Sequence, residues 1–278
     1  MRFIEFLKAI LFGIVEGITE WLPVSSTGHI ILLDAFVALD VSEAFMELFE
    51  VVIQLGAILA VLVLYFHRLN PFSSKKTTAE KATTWHLWFA VVVGVIPSAV
   101  LGLLLDDWFD ANFYNWQTVS ITLILYGIAF IVIERLRRGK EYKIDDADSI
   151  TMKTALMIGA FQVLAIIPGT SRSGSTILGA MLLGVSRTAA AEFSFFMAIP
   201  TMLGASGLKA VKLVLEGGAS AVTTEEWLLL LTATVVAFVV SLAAIKFLVG
   251  FVRRHSFSAF GVYRILLGCA VILWFLLH

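Results

Sequence analysis

The chain has little charge and almost no cysteine. Of its 278 residues, 15% are charged and 59% are hydrophobic, whereas a soluble domain typically has about 25% charged and about 45–50% apolar residues. This balance predicts an integral membrane protein. The single cysteine, Cys269, excludes an intramolecular disulfide and a cysteine-based metal site. The net charge of −1 indicates no particular partner, and no nucleic-acid partner is expected.

Six apolar stretches are long enough to be membrane-spanning helices, which need about 20 residues. They are 46–65, 86–105, 117–134, 188–212, 227–249 and 259–277. Four further apolar pieces are shorter or interrupted, and they form two pairs. Each pair is broken by a turn rich in proline, serine and glycine, the first turn around Pro23 to Gly28 and the second turn around Pro168 to Gly174. The pieces are 3–22 with 29–39, and 152–167 with 175–184. Short broken pairs are typical of re-entrant hairpins, whose broken backbone must face protein or water.

The two predicted hairpins, at 3–39 and 152–184, resemble each other in sequence. With a constant offset of 146, GIVEGITEWLPVSSTGHII at 13–31 aligns with GAFQVLAIIPGTSRSGSTI at 159–177. The aligned identities include Gly13 with Gly159, Ser25 with Ser171 and Gly28 with Gly174. We therefore expect one all-α polytopic membrane domain over 1–278, built from two inverted repeats at about 1–135 and about 150–278.

Charge in the predicted loops sets the expected orientation. The loops 66–85, 135–153 and 250–258 are basic. The intervening loops carry Asp106, Asp107, Asp110, Glu216, Glu225 and Glu226. Basic loops are normally cytoplasmic, so six spans place both termini outside and invert the second repeat. Glu16 and Glu20 interrupt the first apolar stretch, so no cleavable signal peptide is expected.

A competing topology lets 3–22 and 152–184 cross the membrane. It exposes Glu16, Glu20 and Arg172 to lipid, or requires extra crossings that break the charge rule.

Glycine and glutamate share one face of the first hairpin helix. Gly13, Glu16, Gly17 and Glu20 recur at i, i+3, i+4 and i+7. The glycines allow another helix to approach closely, and the two carboxylates then point into that contact. Because like charges repel and burial raises the cost, a metal ion, a shared proton or an arginine is expected between them. Two protonated structural carboxyls are the alternative.

Three hydroxyl residues, Ser25, Ser26 and Thr27, precede Gly28 and His29 in the first turn. A single serine or threonine before an apolar helix is the usual N-cap. Three hydroxyls followed by a histidine exceed what a cap needs. A neutral imidazole beside a hydroxyl can act as a general base, which makes this segment a candidate site.

The second turn combines Arg172 with Ser171, Ser173, Gly174 and Thr176. A glycine- and serine-rich turn that opens a helix offers N–H groups and hydroxyls to an anion. The arginine fork matches a phosphate group. If the two turns meet near the membrane midplane, they form a carboxylate, hydroxyl, histidine and arginine cluster suited to phosphoryl transfer.

Other polar residues in the predicted spans are less informative. Glu47, Glu50 and Gln54 either line the cavity or lie in its outer mouth. Glu192 is expected to be structural. Arg264 is expected to be an anchor that extends toward the membrane surface.

The two turns also carry a family resemblance. EGITEWLPVSSTGH at 16–29 and PGTSRSGST at 168–176 resemble the two signatures of the bacterial undecaprenyl-diphosphate phosphatase family, also called the bacitracin-resistance family. FEVVIQLGAILAV at 49–61 and EFSFFMAIP at 192–200 are similar to it as well. The resemblance covers essentially the whole chain without a large insertion.

The resemblance implies hydrolysis of undecaprenyl diphosphate to undecaprenyl phosphate and phosphate in the bacterial plasma membrane. That reaction recycles the lipid carrier for cell-wall (peptidoglycan) synthesis on the outer side and confers bacitracin resistance. A divalent cation, Mg²⁺ or Ca²⁺, is implied. The matching positions are Glu16 and Glu20 for the acidic, metal-binding motif, Ser26 and His29 for the hydroxyl and histidine, and Ser171, Arg172 and Thr176 for the phosphate.

We hypothesise that Ser26, or a water in its place, attacks the phosphate while His29 moves the proton. Ser25, Thr27, Ser173 and Gly174 complete the expected phosphate-binding set. An inverted-repeat transporter or polyprenyl-phosphate flippase is the rival function. The expected partners are a polyprenyl diphosphate and membrane lipids, and a homodimer is left open.

Overall fold

The computed structural model describes residues 3–215 and 222–277. Within these two ranges the chain forms eleven α-helices, two short 3-10 turns and one isolated β-bridge. The helices are α1 Phe3–Thr19, α2 Ser26–Val37, α3 Glu43–Leu64, α4 Phe66–Leu69, α5 Thr78–Phe113, α6 Trp116–Arg137, α7 Met152–Gln162, α8 Arg172–Leu182, α9 Arg187–Leu215, α10 Thr224–Val252 and α11 Ser258–Leu277. The expected all-α architecture is confirmed.

Six helices in the described ranges are long and apolar enough to cross a membrane, as predicted. They are Phe45–Leu64, Thr78–Leu105, Trp116–Arg137, Arg187–Lys212, Thr224–Val252 and Ser258–Leu277. The four helices of the two predicted hairpins, α1, α2, α7 and α8, have at most 17 residues. The chain is therefore a multi-pass membrane protein, and the path of its hairpins through the bilayer stays a prediction.

Helix α5 is longer than the predicted span at 86–105. It begins at Thr78 and ends at Phe113, so it includes part of the basic loop and the acidic stretch 106–110. Thr77 and Glu80 bond reciprocally through side chain and backbone, which is a capping box that starts the helix early. No glycine or proline follows Gly102 before the helix ends, so nothing stops it at 105. Glu216 lies outside the described residues.

Helix α1 lies directly against α10, as its glycines predicted. A Cβ atom on Gly13 would lie 2.5 Å from the carbonyl oxygen of Ala233, and one on Gly17 would lie 2.8 Å from that of Ala237. Any side chain at these positions would push the helices apart. The close contact fixes the end of α1, from which the first turn extends.

Glu192 belongs to an ion-pair network formed with residues outside the two turns. Its carboxylate accepts a hydrogen bond from Arg68 at 2.7 Å, and Arg68 also pairs with Asp146 and Asp148. The network joins the segment after α3 to the start of α9. The structure thus gives Glu192 the structural position expected of it.

Candidate active site

The two turns adopt the same local conformation. Ser25 has φ 75° and Ser171 has φ 76°, and among the described residues no other non-glycine residue has a positive φ. Each side chain caps the following helix, accepting from Gly28 N at 3.2 Å and from Gly174 N at 3.1 Å. Left-handed backbone at a non-glycine residue is strained and is concentrated at functional sites. Both turns are therefore held in a conformation that local sequence alone does not favour.

Arg172 joins the second turn to the first. Its Nη2 and Nε donate to Oε1 of Glu20 at 2.9 and 3.3 Å, and its Nη1 donates to the carbonyl of Ser194 at 2.8 Å. The side chains of Arg172 and Glu20 are 11% and 7% exposed. Hydrogen bonds between charged groups are stronger than neutral ones, and removing one partner of a buried pair leaves a costly unpaired charge. The sequence predicts a metal ion, a shared proton or an arginine beside the two carboxylates. In the structure, Arg172 pairs with one of them, Glu20.

Ser26 bonds to the same carboxylate. Its Oγ donates to Oε2 of Glu20 at 2.6 Å, so the two oxygens of Glu20 serve Ser26 and Arg172 separately. Ser173 adds a bond from its hydroxyl to the backbone carbonyl of Glu20 at 3.2 Å. The predicted meeting of carboxylate, hydroxyl and arginine is thus present in a single buried cluster.

Thr176 lies behind this cluster rather than at its surface. It is fully buried, with its Oγ1 at 2.7 Å from Ser194 Oγ and 3.0 Å from the carbonyl of Arg172. These contacts hold the first turn of α8 against α9. Ser194 was not singled out from sequence, although it lies in the stretch 192–200. Its contacts with both Arg172 and Thr176 make it a support of the cluster.

Glu16 lies one helical turn before Glu20 and is 1% exposed. Its Oε1 atom is buried and has no hydrogen-bond partner in the structure. A buried carboxylate oxygen without a partner is costly, and native structures rarely keep one without a reason. Glu50, half-buried, accepts from Tyr114 at 3.3 Å and lies within electrostatic reach of Glu16.

His29 contacts Tyr263 of α11, and within the described residues no hydrogen bond joins it to Ser26. Its Nδ1 lies 2.6 Å from the carbonyl of Ser25, and its Nε2 lies 2.7 Å from the hydroxyl of Tyr263. Because a carbonyl can only accept, Nδ1 carries the proton and Nε2 accepts from Tyr263. This tautomer leaves the Nε2 lone pair available to a substrate once the tyrosine moves. The sequence did not indicate Tyr263 as the partner.

The remaining predicted residues divide between support and exposure. Ser171 and Ser173 lie 3.2 Å apart through their hydroxyls, close to Arg172. Thr27 is exposed, and no hydrogen bond joins it to the cluster within the described chain. The structure therefore brings together the members of both turns except Thr27, with His29 at one edge.

The expectation for Arg264 was wrong. It is fully buried, and its guanidinium donates to backbone carbonyls of both turns. Gly261 and Gly268 share its helix face and lie against α6, where a Cβ on Gly261 would be 2.6 Å from a carbonyl oxygen. This glycine spacing indicates a buried face, and it was the signal that should have placed Arg264 inside the protein.

The part of the chain that contains both turns matches a known protein family. Residues 9–270 match the family described as bacitracin resistance protein BacA. The chain belongs to this family. The matched range includes both turns and all six candidate spans of this BacA-family protein except the last residues of α11.

The BacA-family chain is also similar to curated proteins along its whole length. It is 57% identical over 272 residues to an undecaprenyl-diphosphatase of Enterococcus faecalis, covering 98% of each chain. It is 55% identical over 274 residues to an undecaprenyl-diphosphatase of Streptococcus pyogenes serotype M4, covering 99% of this chain and 98% of the relative.

Proposed function

We propose that this protein is a membrane phosphatase that hydrolyses undecaprenyl diphosphate to undecaprenyl phosphate and inorganic phosphate. The reaction recycles the lipid carrier for cell-wall synthesis and confers resistance to bacitracin. The observation that carries the proposal is the buried cluster of Arg172, Glu20 and Ser26, which joins the two turns. Family membership and the names of the relatives support the same substrate.

Arg172 has the capacity to bind phosphate in addition to its present partners. A guanidinium has five N–H groups, and three of them donate to Glu20 and Ser194. The other two N–H groups provide donors for the terminal phosphate. The hydroxyls of Ser171 and Ser173 lie beside them, but the Ser173 proton already donates to the backbone carbonyl of Glu20. The N–H groups at the start of α8 add the anion preference of a helix N-terminus. We assign the terminal phosphate to this turn.

Ser26 is the proposed attacking group, or the residue that positions an attacking water. Its proton is directed at Glu20, 2.6 Å away, so Glu20 is the immediate acceptor as the oxygen attacks phosphorus. The bond from phosphorus to the bridging oxygen breaks, and undecaprenyl phosphate leaves. When Ser26 is the nucleophile, a water then attacks the phosphoserine and gives its proton to Nε2 of His29. The bond from phosphorus to Ser26 Oγ breaks, Oγ takes back the proton held by Glu20, and phosphate leaves.

The carboxylates of Glu16 and Glu20 are suitable ligands for a divalent cation. The unpartnered Oε1 of Glu16 is an oxygen ligand, and Mg²⁺ is often held by one or two carboxylates together with substrate phosphates. Within the described residues no three acidic, histidine or cysteine side chains converge on one point, so substrate oxygens would complete the site. Glu16 would hold Mg²⁺ or Ca²⁺, which would supply charge neutralisation at the diphosphate. Beside its bonds to Arg172 and Ser26, Glu20 keeps one lone pair on Oε2 with which it would join Glu16.

Helix contacts support the inverted-repeat arrangement. Adding 146 converts α1 approximately into α7, α3 into α9 and α5 into α10. Helix α1 packs on α10 and α7 packs on α5, while α3 contacts α10 and α9 contacts α5. Each contact between a helix of one repeat and a helix of the other therefore has an equivalent contact with the two repeats interchanged. We assign the repeats to about 1–135 and about 150–278.

The basic loops at 66–85, 135–153 and 250–258 support a cytoplasmic position for those loops. The termini and the opening of the site then face outward, where the lipid carrier is released from cell-wall assembly.

Phosphate release from undecaprenyl diphosphate by the purified chain in detergent tests the proposal. We expect turnover that stops with a chelator and returns with Mg²⁺ or Ca²⁺. Ser26→Ala should lose most of it, while Ser120→Ala, at a buried serine that bonds only to its own helix, should not. The exchanging helix contacts also fit a transporter or flippase. Substrate binding without phosphate release would favour that rival and reject the phosphatase.

A further inference from the structure

Arg264 lies between the two turns and contacts both. It is fully buried in α11, with Nη1 donating to Pro23 O at 3.1 Å. Its Nη2 donates to Gly169 O at 2.9 Å and to Thr170 O at 3.1 Å, and Nε lies 3.5 Å from Leu123 O. A single guanidinium thus holds the backbone of the first turn to the backbone of the second.

The charge of Arg264 has no carboxylate partner within the described chain. Carbonyl dipoles surround it, and Tyr126 lies under the guanidinium at 5.4 Å. Burying a charge without a counter-charge is expensive, and an apolar side chain would avoid that cost. The arrangement is therefore a poor way to stabilise the fold and an effective way to fix three carbonyls in space.

The three carbonyls occupy informative positions. Pro23 stands between Glu20 and Ser26, which form the acidic half of the cluster. Gly169 and Thr170 come directly before Ser171 and Arg172. A shift of either carbonyl would change the separation of the two halves. Four of the five N–H groups of Arg264 are already engaged, so it is not itself a phosphate ligand.

We infer that Arg264 is a positioning residue that sets the distance between the acidic half and the arginine half of the site. The inference rests on the proposed function. It predicts that removing the guanidinium of Arg264 changes the distance between the two halves of the site. No group that touches substrate is removed by this change. A displacement of about 1 Å at a reacting centre can lower a rate about 100-fold.

Steady-state kinetics of Arg264→Met and Arg264→Lys test this role. We expect Arg264→Met to lower kcat about 100-fold with KM within about threefold of wild type. Lysine keeps the charge but not the fork, so it should recover only part of kcat. The matched control is Arg187→Met, which removes a guanidinium that pairs with Glu134 rather than with either turn. It should lower the melting temperature but keep kcat within about twofold.

A spectroscopic readout separates positioning from activity. Trp21 is fully buried between Glu20 and the first turn, with its ring edge-on to Phe195 at 5.3 Å. With fluorinated tryptophan, and Trp21→Phe for assignment, wild type and Arg187→Met should give one sharp Trp21 resonance. Arg264→Met should shift, split or broaden it.

Each outcome has a distinct meaning. If wild type releases no phosphate, the proposed function fails, and the Trp21 resonance alone decides the role of Arg264. If wild type is active and Arg264→Met keeps both kcat and the resonance, Arg264 does not position the turns. Full recovery of kcat by Arg264→Lys would overturn the inference in favour of charge alone. A variant that only melts earlier, with normal kcat per folded molecule, would also overturn it.

Discussion

Replacement of Arg172 by lysine tests the contact between the two turns. Arg172 makes three hydrogen bonds, two to Glu20 Oε1 and one to Ser194 O. Lysine keeps the charge but lacks the planar fork, so about two of the three are lost. Bonds to charged groups each contribute about 1.5–3 kcal/mol, so losing two gives a loss of at least about 3 kcal/mol. At about 1.4 kcal/mol per tenfold, kcat/KM should fall at least about 100-fold.

The assay is initial-rate phosphate release from undecaprenyl diphosphate at subsaturating substrate. Arg187→Lys is the matched control, because Arg187 also donates two N–H groups to a glutamate, Glu134, away from the cluster. It should leave kcat/KM within about twofold. If Arg172→Lys also stays within twofold of wild type, the pairing of Arg172 with Glu20 plays no part in the reaction and the reasoning is refuted.

Three further predictions use other contacts. Ser26→Ala should lower kcat at least about 100-fold. A phospho-enzyme that is trapped in wild type but absent in the variant would establish a covalent route. Full turnover by the variant would contradict the assignment of Ser26. Tyr263→Phe removes the donor to His29 Nε2, so the pH–rate profile should change; an identical profile would separate Tyr263 from the site. Gly17→Leu should separate α1 from α10 and lower the melting temperature, and an unchanged value would contradict the packing.

Much of the fold was predictable because it depends on local composition. The six spans follow from apolar length, and the paired glycines Gly13 and Gly17 indicated the close contact with another helix. The end of α5 was missed, because apolarity marks the membrane segment and helix formation continues past it into polar sequence. Length and hydropathy define spans, whereas capping residues define helix ends.

The site residues were predictable only where reactive side chains lie close together in the sequence of one turn. Glu20, Ser26 and Arg172 were named from sequence, and they lie together. Tyr263 and Arg264 are more than 230 residues from the first turn, and no local pattern assigns a partner across that distance. The hydrogen bond of His29 to Tyr263 rather than to Ser26 likewise depends on how α11 packs. Contacts between distant helices are a property of the folded protein.

The central claim is that two turns form one active site through Glu20 and Arg172. A double-mutant cycle of Glu20→Gln and Arg172→Gln, measured as kcat/KM for phosphate release, tests it most directly. If the residues act as a unit, the double variant should be about as slow as the slower single variant. Losses that multiply would mean that the two residues act independently, and the single-site account would be wrong.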